Sequence, residues 1–509
     1  MATKIEIMDT TLRDGEQTTG VSYTEAEKLN IAKALLEEVK VDRIEVASAR
    51  VSEGEYKGVS TITRWAAKSG HLSKIEVLGF VDGGQSLEWI KNAGGQVINL
   101  LTKGSLKHCQ EQLRKTPDEH IADIKACVLK AHEMGIVVNM YLEDWSNGMR
   151  HSTDYVFHMV DALQNLPIRR FMLPDTLGIL NPDETYRFCR QMVERYPQLH
   201  FDFHAHNDYD LAAGNVYMAV KAGVKGVHTT VNGLGERAGN VPLASVVAIL
   251  KDHLHCELSV EEVTLNKISR LVESFSGIRI PANKPVVGEY VYTQVAGIHA
   301  DGDSKNKLYY NDLYPERFGR ERKYALGKLS GKANIKQNLE QLGIELTPEE
   351  MKKVTDRIIQ LGDKKEFVTA DDLPYIIADV LQGEKVVEKI KVKNYALSVA
   401  NDLHSVATLK LEIDQQEYEE SAAGDGQYDA FMKALYKIYQ KLGKKLPELT
   451  DYIVTIPPGG RTDALVETTI TWRDGEREFK TRGLDPDQNV AAIKATLRML
   501  NIIEKNFES

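Results

Sequence analysis

Eight short apolar runs rich in β-branched residues, each followed by a helical stretch, fill roughly the first 280 residues of the chain. They are Ile5–Asp9, Arg43–Ala47, Ile75–Phe80, Val97–Leu101, Val137–Leu142, Arg170–Leu173, His200–His204 and Gly226–Val231. The intervening stretches are amphipathic, and the first, Glu25–Glu38, opens with a capping box of Thr24 and Glu27. Eight strand–helix units over this length match a closed (β/α)8 TIM barrel in count and span. A doubly wound open sheet is the alternative, which eight regular units disfavour. Residues 1–280 are therefore expected to form a barrel domain of α/β class.

In such a barrel the chemistry sits at the C-terminal ends of the strands. The first run leads into Asp9-Thr10-Thr11-Leu12-Arg13-Asp14-Gly15-Glu16-Gln17, the fifth into Tyr141-Leu142-Glu143-Asp144 and the sixth into Leu173-Pro174-Asp175-Thr176. The seventh ends in His204-Ala205-His206-Asn207-Asp208 and the eighth in Asn232-Gly233-Leu234-Gly235-Glu236-Arg237-Ala238-Gly239-Asn240. His204 and His206 lie two apart, so on a strand both rings face one side. Alone, the pair reads equally well as two histidines of a polar loop. With Asp14 it makes a facial set of two imidazoles and a carboxylate, leaving positions open for substrate and water. Asn240 can add a carbonyl oxygen. Ligation without thiolate suits Mn2+ or Mg2+, with Zn2+ as a third option. Arg13 offers a planar fork for a carboxylate. A cation that polarises a ketone beside an arginine that holds a carboxylate describes a 2-oxo acid site. Glu143 is a candidate for acid/base work, and Thr176 for a hydrogen bond to the substrate carboxylate.

Past Ile280 the rhythm stops. Residues 281–386 read as a linker with small helical subdomains, including a helix opened by the capping box Thr347-Pro348-Glu349-Glu350 and running to about Leu361. His299 and Asp301, in Gly297-Ile298-His299-Ala300-Asp301-Gly302-Asp303, are expected on a loop able to act as a lid. Residues 387–509 change character again: Thr408–Tyr418 leads to a helix at Gln427, and Thr469–Phe479 to a helix at Gln488, with Gln, Ala, Lys and Ala recurring at one constant offset. This is a duplicated strands-then-helix unit, with Pro457-Pro458-Gly459-Gly460 between the copies. The net charge of −10 argues against nonspecific nucleic-acid binding. Cys109, Cys127, Cys189 and Cys256 show no C-x-x-C spacing and read as reduced, cytoplasmic thiols. The N-terminus has no signal-like apolar run, and no stretch approaches membrane-spanning length.

The motifs at 9–17, 204–208 and 232–240, in this order, resemble the signatures of the 2-isopropylmalate, homocitrate and citramalate synthase family, and the resemblance covers the whole chain. It implies that Asp14, His204, His206 and Asn240 carry a divalent metal and that Arg13 and Thr176 hold a 2-oxo acid. Glu143, with His299 and Tyr309 from a neighbouring subunit, would serve acetyl-CoA. The duplicated tail is similar to the family's amino-acid-sensing domain, which implies feedback control and at least a homodimer. The implied reaction is a Claisen-type condensation: acetyl-CoA loses a methyl proton, the enolate attacks the ketone, and thioester hydrolysis releases CoA.

Within the family, the substrate side chain should be set by the walls of the pocket. Ala47-Ser48-Ala49-Arg50-Val51-Ser52 stands where isopropylmalate synthases tend to have a Gly-Phe-Pro stretch, and Leu78, Leu100, Leu101 and Tyr141 are bulky. Such walls leave a small apolar space and reject larger substrates, since overpacking costs about 1–3 kcal/mol. Pyruvate is the expected partner, and these stretches are most similar to the bacterial (R)-citramalate synthases that start isoleucine synthesis. The expected effector is isoleucine. The alternatives are 2-oxoisovalerate as substrate with leucine as effector, a metal-dependent C–C lyase on the same barrel, and, remotely, a non-catalytic sensor.

Overall fold

The computed structural model describes residues 3–341, 344–363, 368, 373–381, 390–399, 402–413, 416–455 and 466–505. Pro457–Gly460 and the expected boundary between residues 386 and 387 lie outside them. The chain divides into two compact units, residues 1–294 with 299–324, and residues 295–298 with 325–509.

The first unit is a closed, all-parallel barrel. Its strands follow one another in chain order: β1 (Glu6–Asp9), β2 (Arg43–Ser48), β3 (Ile75–Phe80), β4 (Val97–Lys103), β5 (Val137–Glu143), β6 (Ile168–Asp175), β7 (Phe201–Ala205) and β8 (Gly226–Thr229). β8 returns to β1 with Glu6 opposite Gly226 and Asp9 opposite Thr229. All eight expected strands are present, within a few residues of the expected ends. Outward strand residues such as Ile44, Val46, Val77 and Ile98 pack with helix residues such as Ile31, Leu35 and Ile62 in the main core. The inside of the barrel is different. Met8, Leu78, Tyr141 and Met172 form a separate apolar cluster against Leu101. Nearer the strand starts, the buried Arg43 pairs with Glu76 at 3.0 Å and Asp202 at 2.7 Å. Breaking one partner of such a buried set typically costs about 3–5 kcal/mol.

The capping box of Thr24 and Glu27 forms as expected, but the α-helix runs only from Glu25 to Lys33. It continues as a wider π-type turn over Ala34–Val39, which buries Ala34, Leu35, Leu36 and Val39 together. The expected loop at His299 and Asp301 is instead a helix, Gly297–Ser304. Its glycines argue against a helix by propensity. Gly302, however, is needed for packing, because a Cβ there would lie 2.3 Å from the ring of Tyr309.

The second unit holds the helices Lys332–Gln341, Pro348–Asp363 and Leu373–Leu381 around Leu326, Ile335, Leu339, Val354 and Ile358. Thr347 and Glu350 exchange the two bonds of a capping box. The tail is a tandem repeat. The antiparallel strands Ile390–Ser398, Ser405–Ile413 and Gln416–Gly424 lead to the helix Gln427–Lys441. The strands Glu448–Thr455, Val466–Asp474 and Arg477–Asp485 lead likewise to the helix Gln488–Lys505. Each of the stretches Thr408–Tyr418 and Thr469–Phe479 runs through a hairpin, with Ile413 opposite Gln416 and Asp474 opposite Arg477; in the second, Asp474-Gly475, with Gly475 at φ +61°, is the turn signal that divides it. The two copies share one core that includes Leu409, Phe431, Leu435, Trp472, Ile493 and Leu500. Tyr428 and Thr496 join the two helices through their hydroxyls at 2.7 Å.

Candidate active site

The barrel brings the ends of β1, β7 and β8 together. One ligand atom each from Asp14, His204 and His206 lies within 4.8 Å of the others. The Nε2 atoms of His204 and His206 stand 3.2 and 3.7 Å from Asp14 Oδ2. Asn240 is brought beside them by a backbone bridge to His206. The loop carrying Asn240 depends on glycine: Gly239 has φ +82°, and a Cβ there would sit 1.9 Å from the carbonyl oxygen of Gly233.

All four side chains are buried. Among the described residues, Asp14 Oδ1, His204 Nδ1, His206 Nδ1 and Asn240 Oδ1 have no hydrogen-bond partner. So many orphaned buried polar atoms around one point are costly unless something binds there. A carboxylate, two imidazoles and an amide oxygen are the donors that a divalent cation takes, so the residues fit a metal. Burial opposes charge on Asp14, but Arg13, His204 and His206 outweigh it and hold the carboxyl well below its usual range. Burial pushes His206 down to about 4, against the pull of Asp14, so its ring is neutral and able to ligate.

Arg13 stands next to this set. Its Nε donates to Glu45 at 2.6 Å, Nη1 lies 3.4 Å from Asp14 Oδ2, and Nη2 donates to the Tyr141 hydroxyl at 3.4 Å. Glu45 is itself held by Thr10 at 2.7 Å and Asn99 at 2.8 Å. The Tyr141 hydroxyl also meets His228 Nδ1 at 3.1 Å, and His228 Nε2 meets Asp202 at 3.1 Å. Tyr141, Leu78 and Leu101 fall in one cluster, whereas Leu100 faces the main core. Thr176 accepts the Asp144 backbone N–H at 2.9 Å, and its carbonyl is tied to Arg237, which also grips Asp208. Glu143 is ion-paired with Lys103. Asp9 is buried, and burial pushes its carboxyl up to about 6 against bonds from Thr11 and Thr229.

The side chains of His299, Asp301 and Tyr309 make their contacts within one another's segment, Gln294–Tyr309. The rings of His299 and Tyr309 lie 4.3 Å apart, His299 Nδ1 is 3.3 Å from Gln294, and Asp301 pairs with Lys305 at 2.6 Å. The sequence reading missed Glu45, Asn99, Lys103, Asp202 and His228. Lys103 ends its strand, and each of the others is a polar residue inside an apolar strand, a signal visible in Arg43-Ile44-Glu45-Val46 and in Phe201-Asp202-Phe203.

Residues 4–272 match the HMGL-like family, residues 286–366 the homocitrate synthase post-HMGL domain-like family, and residues 367–504 the LeuA allosteric (dimerisation) domain. The chain is 34% identical to the (R)-citramalate synthase CimA of Methanocaldococcus jannaschii, over 98% of this chain and 99% of that one. It is 34% identical to a putative (R)-citramalate synthase CimA of Methanopyrus kandleri, over 93% and 91%. It is 35% identical to a probable 2-isopropylmalate synthase of the same organism, over 98% of each. These relatives are archaeal, where bacterial ones were expected. With a barrel, a post-barrel segment and a tail all matched in order, the chain belongs to the HMGL-like enzymes, in the branch of the (R)-citramalate and 2-isopropylmalate synthases.

Proposed function

We propose that the chain is an acyltransferase that condenses acetyl-CoA with pyruvate to give (R)-citramalate and CoA, the first step of pyruvate-derived isoleucine biosynthesis. The observation that carries the choice of pyruvate is the bond between Tyr141 and Arg13, 3.4 Å long. It sets the bulky wall of Tyr141, Leu78 and Leu101 directly beside the group that would hold the substrate carboxylate. A 2-oxo acid anchored there has little room beyond a methyl group.

Arg13 arrives at its substrate already fixed by Glu45 and Asp14, so little of its rotamer entropy is lost on binding. Thr176, whose position is set by the Asp144 N–H, offers a second hydrogen bond to the carboxylate. Asp14, His204, His206 and Asn240 would hold a divalent cation, Mn2+ or Mg2+ with Zn2+ as a third option, and a cation bound there supplies Lewis-acid polarisation of the ketone. Arg13 adds positive charge where the alkoxide develops. Glu143 serves the acetyl-CoA half, together with the partner subunit's His299 and Tyr309, and Asp301 is a substrate-binding residue. Residues 387–509 bind the effector, isoleucine with leucine as the alternative, and bring two subunits together, a reading supported by the match to a dimerisation domain. No helix among the described residues is long and apolar enough to cross a membrane, and the four cysteines are free and buried, which supports the cytoplasmic reading.

The second reading, a 2-isopropylmalate synthase, rests on the relative so named at 35% identity. CoA release from acetyl-CoA with Mn2+, measured with pyruvate and with 2-oxoisovalerate, decides between them. Turnover with pyruvate alone is expected, and preference for 2-oxoisovalerate would overturn the pyruvate assignment.

A further inference from the structure

Lys103, the last residue of β4, stands opposite Glu143, the last residue of β5, in the parallel register. The two side chains form an ion pair, with Lys103 almost fully buried. Both line a cavity of about 310 Å3 together with Phe80, Val81, Leu101 and His120. Leu101 also packs against the interior cluster of Tyr141 and Leu78, so the cavity and the substrate pocket share a wall.

The backbone here is held by an unusual number of buried polar groups. The Lys103 N–H donates to His120 Nε2 at 3.1 Å, and the Tyr155 hydroxyl donates to the Lys103 carbonyl at 2.9 Å. The next residue, Gly104, donates its N–H to the Glu143 carbonyl at 2.6 Å. A Cβ on Gly104 would lie 2.4 Å from the Leu142 oxygen, so the close approach of the two strand ends requires glycine. A lysine that merely balanced a carboxylate would need none of this, because its flexible four-carbon stem reaches a partner from many backbone positions. Fixing the stem's origin matters when the ammonium must meet a particular atom.

We infer that Lys103 is a further catalytic residue, whose ammonium stabilises the enolate oxygen of acetyl-CoA in this cavity. The inference rests on the reading of Glu143 given above. In the step, a methyl C–H bond breaks and its proton passes to the Glu143 carboxylate. The electron pair of that bond forms the new C=C, and the thioester C=O pair moves onto oxygen. Negative charge thus leaves Glu143 and appears on the thioester oxygen while the same ammonium faces both. No charge is left unbalanced and little reorganisation is needed, which is the condition for strong electrostatic stabilisation. The enolate carbon then attacks C2 of the oxo acid, and the thioester carbonyl re-forms.

The test compares the wild-type enzyme with K103M and K103R, using acetyl-CoA and its methyl-deuterated form with saturating pyruvate. For K103M, kcat should fall on the order of 100-fold, as for loss of one oxyanion donor. The KM for pyruvate should stay within about twofold, since only a transition-state interaction is removed. The deuterium isotope effect on kcat should rise as C–H cleavage becomes limiting, and K103R should recover part of the rate. A K103M enzyme with near-wild-type kcat overturns the inference, as does a loss of rate with a raised KM for pyruvate and an unchanged isotope effect. If K103M does not fold, K103Q, which keeps a hydrogen bond to Glu143, carries the same comparison. Wild-type enzyme that releases no CoA with any 2-oxo acid overturns the parent reading and this one with it, and that outcome needs no variant.

Discussion

His206 is buried, its Nε2 is 3.7 Å from Asp14, and its Nδ1 has no partner among the described residues. Removing the ring takes away a cation donor without cutting into the apolar core. His206→Ala is therefore expected to abolish CoA release while keeping a wild-type melting temperature in metal-free buffer. It should also lose the rise in melting temperature that Mn2+ gives the wild type, since a ligand of the folded state stabilises by mass action. Retained turnover would remove His206 from the cation site. Tyr141 tests the wall. Tyr141→Ala should raise the kcat/KM for 2-oxoisovalerate relative to pyruvate by about 10–200-fold, the usual worth of fitting one or two extra carbons. An unchanged ratio would place the selectivity elsewhere. His204 and His206 were legible in the sequence because their spacing of two puts both rings on one side of a strand, and Asp14 and Asn240 because they sit in polar motifs that follow the first and eighth strands and carry the family resemblance. Glu45, Asp202 and His228 were not, because their partners exist only after β1 closes against β2 and β8. Glu45 meets Arg13 through a strand pairing that no local pattern records.

At the level of elements, the helix Pro117–Glu133 docks on β4 through His120, whose ring accepts the Lys103 N–H. Burial, with Lys115 and Lys103 adding to it and Asp123 opposing, pushes this imidazole down to about 4. Between that value and the ordinary 6.5 the unfolded chain binds a proton that the folded chain does not. The contribution of His120 to stability is thus fully present above the unfolded value and is lost as pH falls from about 6.5 to about 4. The wild type should lose on the order of 1–3 kcal/mol over this window relative to His120→Gln, which keeps an acceptor for Lys103 but cannot titrate. Melting temperatures of both proteins at pH 4.5 and 7.5 give the difference, and parallel profiles would show that His120 is not held neutral. Elements were legible where hydrophobic period and caps agreed, as at Thr24 and Thr347. They were not where tertiary packing overrode propensity, as in the glycine-bearing helix Gly297–Ser304, or where one stretch holds two paired strands, as with Ile413 opposite Gln416.

For the molecule as a whole, the eightfold rhythm leaves closure as the natural solution, because eight parallel strands each followed by a helix can satisfy both sheet edges by pairing β8 with β1. The tail follows a different logic. Each copy of its β-strands-then-helix unit is too small to bury its own apolar face, and the copies share a core across the Tyr428–Thr496 and Tyr439–Glu504 contacts. Such a two-copy module presents two related surfaces at fixed spacing, a form suited to a symmetric partner and to a small effector. Any effector that binds the folded tail adds stability in proportion to the logarithm of its concentration, about 2.7 kcal/mol at one hundred times its Kd. Isoleucine is accordingly expected to raise the melting temperature of the full chain and to lower its rate of CoA release, with leucine and valine doing so only at much higher concentrations. Sedimentation should give a dimer or a larger assembly with or without the amino acid. Stronger stabilisation by leucine would move the regulatory assignment to the other branch of the family, and if pyruvate nonetheless remained the preferred substrate, catalytic and regulatory specificity would have to be set independently in the two units.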